Sequence, residues 1–416
     1  MITILHTGDW HYRAKWLEEI HKNASFVAGH AGEADIAILD GDLYDGPMPH
    51  DSGPVALAIE AVQAMANLAP VLAIRGTYTH DRGQMHLLGK IRANWPILVV
   101  DKPILVALID GDLVPLPLGA EIPRGASLVV GCLPEPPRLL EREHADGMVQ
   151  AICSGFRAAS QGFPFVVAGH LGVTGSTLSN QSPLGQWVSR ACLESAEAPV
   201  LLGHIHHPQK MANSQIIYCG SPSILDFGEV HEHGFYMHTM EHGGNGDAPA
   251  KWFSSTFVET PHRRVVEIGW ETRPKEKPGI GPPYYVKGAK VQSSSPKACT
   301  KEGELFSADP SDIVDLISRV DCRDMLARVR VGIASPDPDL RPRIERALRE
   351  VGAYDIKVDI LRDEEVHVRF EDVAKARSLR DKIVAVRPET VPAILGKAEQ
   401  LETIPEEKLM EEVANL

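Results

Sequence analysis

Short clusters of histidine and aspartate, each standing directly after an apolar run, constrain this chain more than any other feature. They are Asp9-Trp10-His11, Gly41-Asp42-Leu43-Tyr44-Asp45, Thr79-His80-Asp81, Gly169-His170 and Gly203-His204-Ile205-His206. The runs before them, ITILHTG, ADIAILD, APVLAIRG, PFVVAG and APVLLG, read as strands. Polar residues at the carboxyl ends of neighbouring strands converge in space. The chain is therefore expected to fold as an α/β protein that gathers carboxylates and imidazoles at one edge. Such oxygen and nitrogen ligand sets suit divalent transition metals. Five clusters in series point to hydrolysis assisted by two metal ions.

The 416 residues exceed one small core, so more than one domain is expected. A formal net charge of -14 argues against nonspecific coating of nucleic acid by the chain alone. It leaves a nucleic-acid substrate open, since bound divalent ions reverse the field of an acidic site. Six cysteines stand without a C-x-x-C pair, which fits reduced thiols better than a disulfide framework or a zinc ribbon. The N-terminus lacks the basic and apolar regions of a signal peptide. The apolar stretch from Pro96 to Leu118 is broken by charges and prolines and reads as short strands. These features predict a soluble cytoplasmic protein with no membrane partner.

Residues 1–262 alternate strand-like and helical stretches. Helices are expected over Lys15–Ala28, Val55–Leu68, Ala145–Ser160 and Ala191–Ala196, and strands over Ile2–Leu5, Ala34–Leu39, Val71–Ile74, Phe165–Ala168 and Val200–Leu202. Several strands are apolar throughout, which predicts a sheet covered on both faces. Ile97–Val100, Ile104–Leu108 and Ser127–Val130 lack a preceding helix and are expected as antiparallel additions. A layered α/β domain built around a sheet sandwich follows.

Residues 263–310 are rich in Pro, Gly, Ser and Lys from Arg273 onward and read as a linker or surface insertion. Residues 311–390 carry a second α+β pattern: a helix at Ile313–Arg319, a strand at Ala327–Gly332, a helix at Asp339–Val351, strands at Ile356–Leu361 and Glu365–Phe370, and a helix at Asp372–Val384. Residues 391–416 read as a charged helical tail broken at Pro405, either a solvated face or, through its apolar positions, a surface that docks on a partner.

Asp9 and His11 stand two apart at a strand end, as do His204 and His206, so a turn can aim each pair at one point. Buried carboxylates without a counter-charge raise one another's pKa, and cations remove that cost. Asp42 is placed to bridge two ions, with one imidazole of the His204/His206 pair facing each, and His170 to complete the second site. Asp45 reads as a supporting group. His6 reads as a core residue of the first strand. The histidines of EVHEHGFYMHTMEH read as solvated positions on a strand rather than as a third metal site.

The series resembles the calcineurin-type metallophosphoesterases, with their D-x-H, G-D-x-x-D, G-N-H-D/E, H and G-H-x-H motifs. The closer resemblance is to the SbcD-type DNA nucleases. It is carried by TGDWHY at 7–12, GDLYDG at 41–46, LLGHIHHPQ at 201–209 and YCGSPSILDFGE at 218–229. The resemblance implies a four-layer metallophosphoesterase β-sandwich flanked by helices, followed by a small α+β DNA-capping domain at 311–390. It implies that Asp9, His11, Asp42 and His206 hold a first ion, and that Asp42, His170 and His204 hold a second, with Mn²⁺ the leading candidate. The family's Asn ligand is missing here. The segment reads Gly76-Thr77-Tyr78-Thr79-His80-Asp81, two residues longer, which makes Thr79 the candidate for the vacated position. His80 would act as the acid, Asp81 would orient its ring, and Arg75 and Arg82 would meet the phosphate. The implied partners are DNA, an SbcC-like ATPase subunit and a second copy of the chain, because no P-loop of its own is present. Two other readings stay open at this stage: a phosphodiesterase for a small or cyclic nucleotide, and a catalytically weakened scaffold for DNA ends.

Overall fold

The computed structural model describes residues 1–117, 119–136, 142–179, 183–184, 187–229, 231–241, 252–270, 284–288, 312–318, 320–333 and 337–362. It divides into two compact units, Met1–Val265 and Val266–Leu416. The protein is mixed α/β, with three sheets in all among the described residues.

The first unit opens with β1 (Ile2–Thr7), α1 (Leu17–Gly29), β2 (Ile36–Asp40), α2 (Gly53–Ala66), β3 (Val71–Ile74), the single turn α3 (Tyr78–Asp81) and β4 (Ile97–Val100). It continues through β5 (Ile104–Ile109), β6 (Asp112–Leu116), β7 (Leu128–Leu133), α4 (Arg142–Ala159), β8 (Phe165–His170), α5 (Arg190–Glu194) and β9 (Val200–Gly203). It closes with β10 (Gln209–Lys210), β11 (Ile216–Tyr218), β12 (Gly234–Glu241) and β13 (Trp252–Glu259). One sheet has the order β13-β12-β1-β2-β3-β4 and the other β10-β11-β9-β8-β7-β5-β6.

The apolar runs are explained by burial on two faces. In β2, Ile36 and Ile38 enter a cluster that also holds Val130, Val166, Ala168 and Leu201 of the other sheet. Ala37 and Leu39 enter a second cluster with Ile20, Ala24 and Val27 of α1 and Val55, Ala58 and Val62 of α2. Val129, Val167 and Leu202 face a third cluster with Val149, Cys153 and Phe156 of α4. Each central strand thus has no solvent face, and alternation disappears from the sequence. In α2, Pro54 stands in the first turn, and the buried residues Val55, Ala58, Ala61, Val62 and Met65 trace one helical stripe. Its alanines let α1 and α2 approach closely.

Two expectations are corrected. Ile97–Val100 is not an antiparallel addition: β4 pairs parallel with β3, Val71 opposite Ile97. The crossover runs through a 3₁₀ stretch, Arg82–Lys90, whose tight turns leave no 3.6-residue period to read. The β12 histidine is not solvated. His238 is fully buried, with Nε2 3.1 Å from His6 Nδ1 and Nδ1 2.8 Å from Ser255 Oγ. His6 in turn has Nε2 2.8 Å from Asp40 Oδ2. His6 is buried in β1 as expected. The polar row runs across β2, β1, β12 and β13, so only cross-strand pairing brings its members together.

The second unit contains β14 (Val265–Trp270), β15 (Tyr284–Gly288), α6 (Asp312–Ile317), β16 (Leu326–Ile333), α7 (Leu340–Glu350) and β17 (Asp355–Arg362), with sheet order β15-β14-β16-β17. Val266, Ile268, Val329, Val331, Ile344 and Leu348 share its core. The linker expected at 263–310 is therefore corrected at 265–270 and 284–288, which are paired strands of this sheet. The rest of that stretch from 271 lies outside the described residues. So do the strand expected at Glu365–Phe370, the helix at Asp372–Val384 and the tail at 391–416. Cys132, Cys153, Cys192, Cys219 and Cys322 are buried and free. No helix among the described residues is long and apolar enough to cross a membrane.

Burial holds the His238 imidazole well below its usual pKa, and His6 and Lys210 push it the same way. The unfolded chain takes up a proton near pH 6.5 that the folded chain refuses. Stability must then fall as pH drops below about 6.5, by up to about 1.4 kcal/mol per pH unit for this one group. Urea midpoints at pH 7 and pH 5 check this: the drop is expected to be smaller in His238→Gln than in the wild type.

Candidate metal centre

All five clusters leave the carboxyl ends of parallel strands. Asp9 and His11 follow β1, Asp42 follows β2, Thr77 and His80 follow β3, His170 ends β8, and His204 and His206 follow β9. Asp9, His11, Asp42 and His204 all have positive φ, at 52°, 46°, 49° and 91°. Residues with side chains seldom adopt this backbone, and it persists only where the surroundings impose it. Here the surroundings are hydrogen bonds between loops. Asp9 N donates to Gly41 O and His11 N to Asp42 O, at 2.9 and 3.0 Å. The His204 amide donates to the Asp9 carboxylate, 2.9 Å from Oδ2. Gly203 and Gly76 are required by crowding: a Cβ on Gly203 would stand 2.2 Å from Asp40 O, and one on Gly76 2.3 Å from Asp42 N.

Three overlapping groups have ligand atoms within 4.8 Å of one another: Asp9, His11 and His206; His11, Asp42 and His80; and Asp42, His170 and His204. His11 Nε2 lies 4.0 Å from Asp9 Oδ1 and 3.8 Å from Asp42 Oδ2. Those gaps are too wide for hydrogen bonds. They fit atoms that share an ion, since bonds of 2.0–2.2 Å leave two ligands up to about 4.2 Å apart. The far nitrogens are held from behind. His170 Nδ1 donates to Asp40 O at 2.6 Å, leaving Nε2 to face Asp42 Oδ2 at 3.2 Å. His206 Nδ1 stands 2.7 Å from Glu229 Oε1. His11 Nδ1 faces Asp45 Oδ1 at 3.3 Å, which gives Asp45 the supporting place expected of it. Carbonyls and carboxylates behind imidazoles fix the tautomer and orientation that metal binding needs.

The electrostatics point the same way. Burial raises Asp9 to about 7, despite His170 and His206 nearby. Burial also opposes ionisation of Asp42, but His170 and His11 outweigh it and hold the carboxyl well below the usual range. Burial disfavours charge on His170, yet Asp42 lifts it to about 10. His206 is likewise lifted to about 9 against burial, by Glu229 and then Asp9. Positive charge among these groups, from a proton or a cation, offsets the burial of the carboxylates. The residues present therefore fit a divalent ion, and its binding would release protons.

The remaining expected residues fall as follows. Thr79 is exposed, and its expected place at the metal centre is corrected in favour of Thr77. The Thr77 hydroxyl donates to Asp42 Oδ2 at 3.1 Å and lies 3.3 Å from His170 Nε2. Asp81 does not orient the His80 ring. Its carboxylate accepts the amides of Asp42 and Gly76 at 2.9 and 2.8 Å, and that of Leu43 at 3.0 Å. It staples two loops, in place of the ring-orienting role expected of it. The His80 ring stands edge-on to His11, centroids 4.9 Å apart. Arg75 is half-buried and donates from Nη2 to Glu135 O at 3.2 Å. The Arg82 side chain lies outside the described part of the structure. Trp187, which the sequence reading did not single out, packs against His204 with centroids 4.9 Å apart.

Glu229 was missed as a site residue, although it lies in the YCGSPSILDFGE string. It is buried, and it also accepts the Leu225 amide at 2.7 Å. Its carboxyl is held far below the usual range, because His206 overcomes the effect of burial. Nothing in spacing marks it, since it lies 23 residues beyond the histidine it supports. Glu229→Gln is expected to weaken Mn²⁺ binding by about 10- to 100-fold in calorimetric titration. No protein-family model matches this chain.

Proposed function

We propose that the protein is a metal-dependent phosphodiesterase of the SbcD type, a nuclease that hydrolyses DNA at ends. The observation that carries this reading is the sharing of Asp42 between two clustered groups, one with His11 and His80 and one with His170 and His204. A carboxylate placed between two imidazole sets suits a pair of adjacent divalent ions. Asp9, His11, Asp42 and His206 would hold one, and Asp42, His170 and His204, with Thr77 alongside, the other. Mn²⁺ is the leading candidate. When bound, such ions supply Lewis-acid activation of water and neutralise charge on a phosphodiester. The sheets and helices of the first unit are compatible with the four-layer sandwich of metallophosphoesterases, and the second unit with a capping domain.

The chain's own residues then divide the work. Asp81 and the loop amides fix Asp42. Asp40 O and Glu229 hold His170 and His206 in the tautomer that presents a lone pair. His80, beside His11, has Nδ1 buried without a hydrogen-bond partner among the described residues. It is placed to deliver a proton to the departing sugar oxygen. Arg75, tethered to Glu135, is the cation proposed for a non-bridging phosphate oxygen. An SbcC-like ATPase, a second copy of the chain and a cytoplasmic setting belong to this same proposal.

His80→Ala is expected to lower turnover by about two to four orders of magnitude while leaving Mn²⁺ binding nearly unchanged. Wild-type cleavage by that variant overturns the acid assignment. The whole reading is tested with linear duplex DNA and bis(4-nitrophenyl) phosphate, each with Mn²⁺ and with chelator, with and without a co-encoded ATPase. Chelator is expected to abolish cleavage of both. Hydrolysis of the small diester alone, with DNA left intact under every condition, overturns the nuclease reading in favour of a small-substrate phosphodiesterase.

A further inference from the structure

We propose that His231 and His233, flanked by His207, form a second cation site outside the Asp42 cluster, for a divalent ion of the Zn²⁺, Ni²⁺ or Cu²⁺ class. The proposal stands apart from the phosphodiesterase reading, because it concerns other side chains and another class of ion.

A row of four imidazoles leads to it. Ring centroids lie 4.8 Å apart from His207 to His231, 4.4 Å from His231 to His233 and 5.0 Å from His233 to His262. The imidazoles proposed to share ions in the Asp42 cluster are similarly spaced, 4.9 Å between His11 and His206 and 5.1 Å between His170 and His204. Three places in the chain supply the row: the loop after β9, the segment before β12 and the segment after β13. His233 is fully buried and His231 partly so, although the EVHEHG pattern predicts solvated positions.

The hydrogen bonds of these rings set the direction of their lone pairs. Nδ1 of His231 donates to Glu232 O at 3.0 Å, Nδ1 of His233 to Ser221 O at 3.1 Å, and Nδ1 of His262 to Thr260 O at 2.9 Å. A carbonyl only accepts, so in the neutral ring the proton is on Nδ1 and Nε2 carries a lone pair. His231 Nε2 and His233 Nε2 are buried with no hydrogen-bond partner among the described residues. The same holds for His207 Nδ1, on a ring hydrogen-bonded to the Thr177 backbone. A buried acceptor left unpaired is costly. Imidazoles oriented from behind by carbonyls, with the opposite nitrogen unpaired, are arranged as metal-binding histidines are. Ring stacking accounts for the 31° tilt between successive rings from His207 to His233, but not for the unpaired nitrogens.

The charge state suits the same role. Burial lowers the pKa of His231 to about 4 and holds that of His233 well below its usual value, with His231 adding to the effect. Both rings are neutral at pH 7, which is the form that binds metal, so no proton has to leave. The nearby Glu229 carboxylate is committed to His206 and to the Leu225 amide. The row therefore offers nitrogen donors. Imidazole suits Zn²⁺, Cu²⁺ and Ni²⁺, whereas Mn²⁺ and Mg²⁺ suit the carboxylates that the Asp42 cluster supplies.

The test uses the full-length protein, stripped with chelator and dialysed separately against Zn²⁺ and Mn²⁺. Metal content per chain is read by mass spectrometry. The double variant His231→Gln/His233→Gln is expected to hold about one Zn²⁺ fewer per chain than the wild type, and the same amount of Mn²⁺. The proposal is overturned if a variant whose circular dichroism matches the wild type holds as much Zn²⁺ as the wild type. It is equally overturned if that variant loses Zn²⁺ and Mn²⁺ in equal measure, since the substitutions then act on the Asp42 cluster through Glu229. Should the variant fail to fold, wild-type crystals soaked in Zn²⁺ decide. An anomalous peak at the zinc edge about 2.0–2.1 Å from both His231 Nε2 and His233 Nε2 upholds the proposal. Zinc at the Asp42 cluster alone, or at neither place, overturns it.

Discussion

Everything at the centre of the first unit depends on a buried carboxylate, Asp42, surrounded by imidazoles. Its Oδ2 faces His11 at 3.8 Å, His170 at 3.2 Å and the Thr77 hydroxyl at 3.1 Å, while Oδ1 accepts the Thr77 amide, in a pocket almost without solvent. Two carboxylates this deep, Asp42 with Asp9, cannot both be charged without nearby positive charge. The raised Asp9, His170 and His206 pKa values express one requirement: a positive charge must stand among these groups. These groups are close enough to hold a cation that would supply it.

Holding such groups together is the task of the backbone around them. Four of the site residues take left-handed conformations, and each strained loop is anchored by another loop. Asp81 receives amides from both the Asp42 and the Gly76 segments. Asp40 gives its carbonyl to His170 and its carboxylate to His6. Strain in the clustered residues is thereby balanced by hydrogen bonds made by residues outside the cluster. The same division explains why Glu229 and Asp45 stand behind imidazoles: their positions matter through the orientation they impose.

Much of this was legible in the amino-acid order. Asp9, His11, Asp42, His170, His204 and His206 each follow an apolar run, and parallel strands bring their ends to one edge by geometry alone. Helices α1, α2 and α4 were legible from their period. What could not be read was anything decided by contact across the chain. Thr77 and Thr79 are chemically equal candidates in the sequence, and only the turn α3 decides that the first faces Asp42. Asp81 looked like a partner for the adjacent ring, yet its carboxylate found four amides instead. His238 looked solvated because alternation along one strand does not reveal a second sheet packed over it.

By itself the sequence determined the kind of chemistry available: which strand ends carry oxygen and nitrogen ligands, and that several must meet. That follows because strand direction and side-chain type are local properties of the chain. The tertiary structure alone decided which atoms face one another, and that Asp45 and Glu229 stand behind the imidazoles of His11 and His206. Those outcomes depend on pairings between residues as distant as Asp9 and His204, and on the exclusion of water between two sheets. No local rule of the chain encodes them.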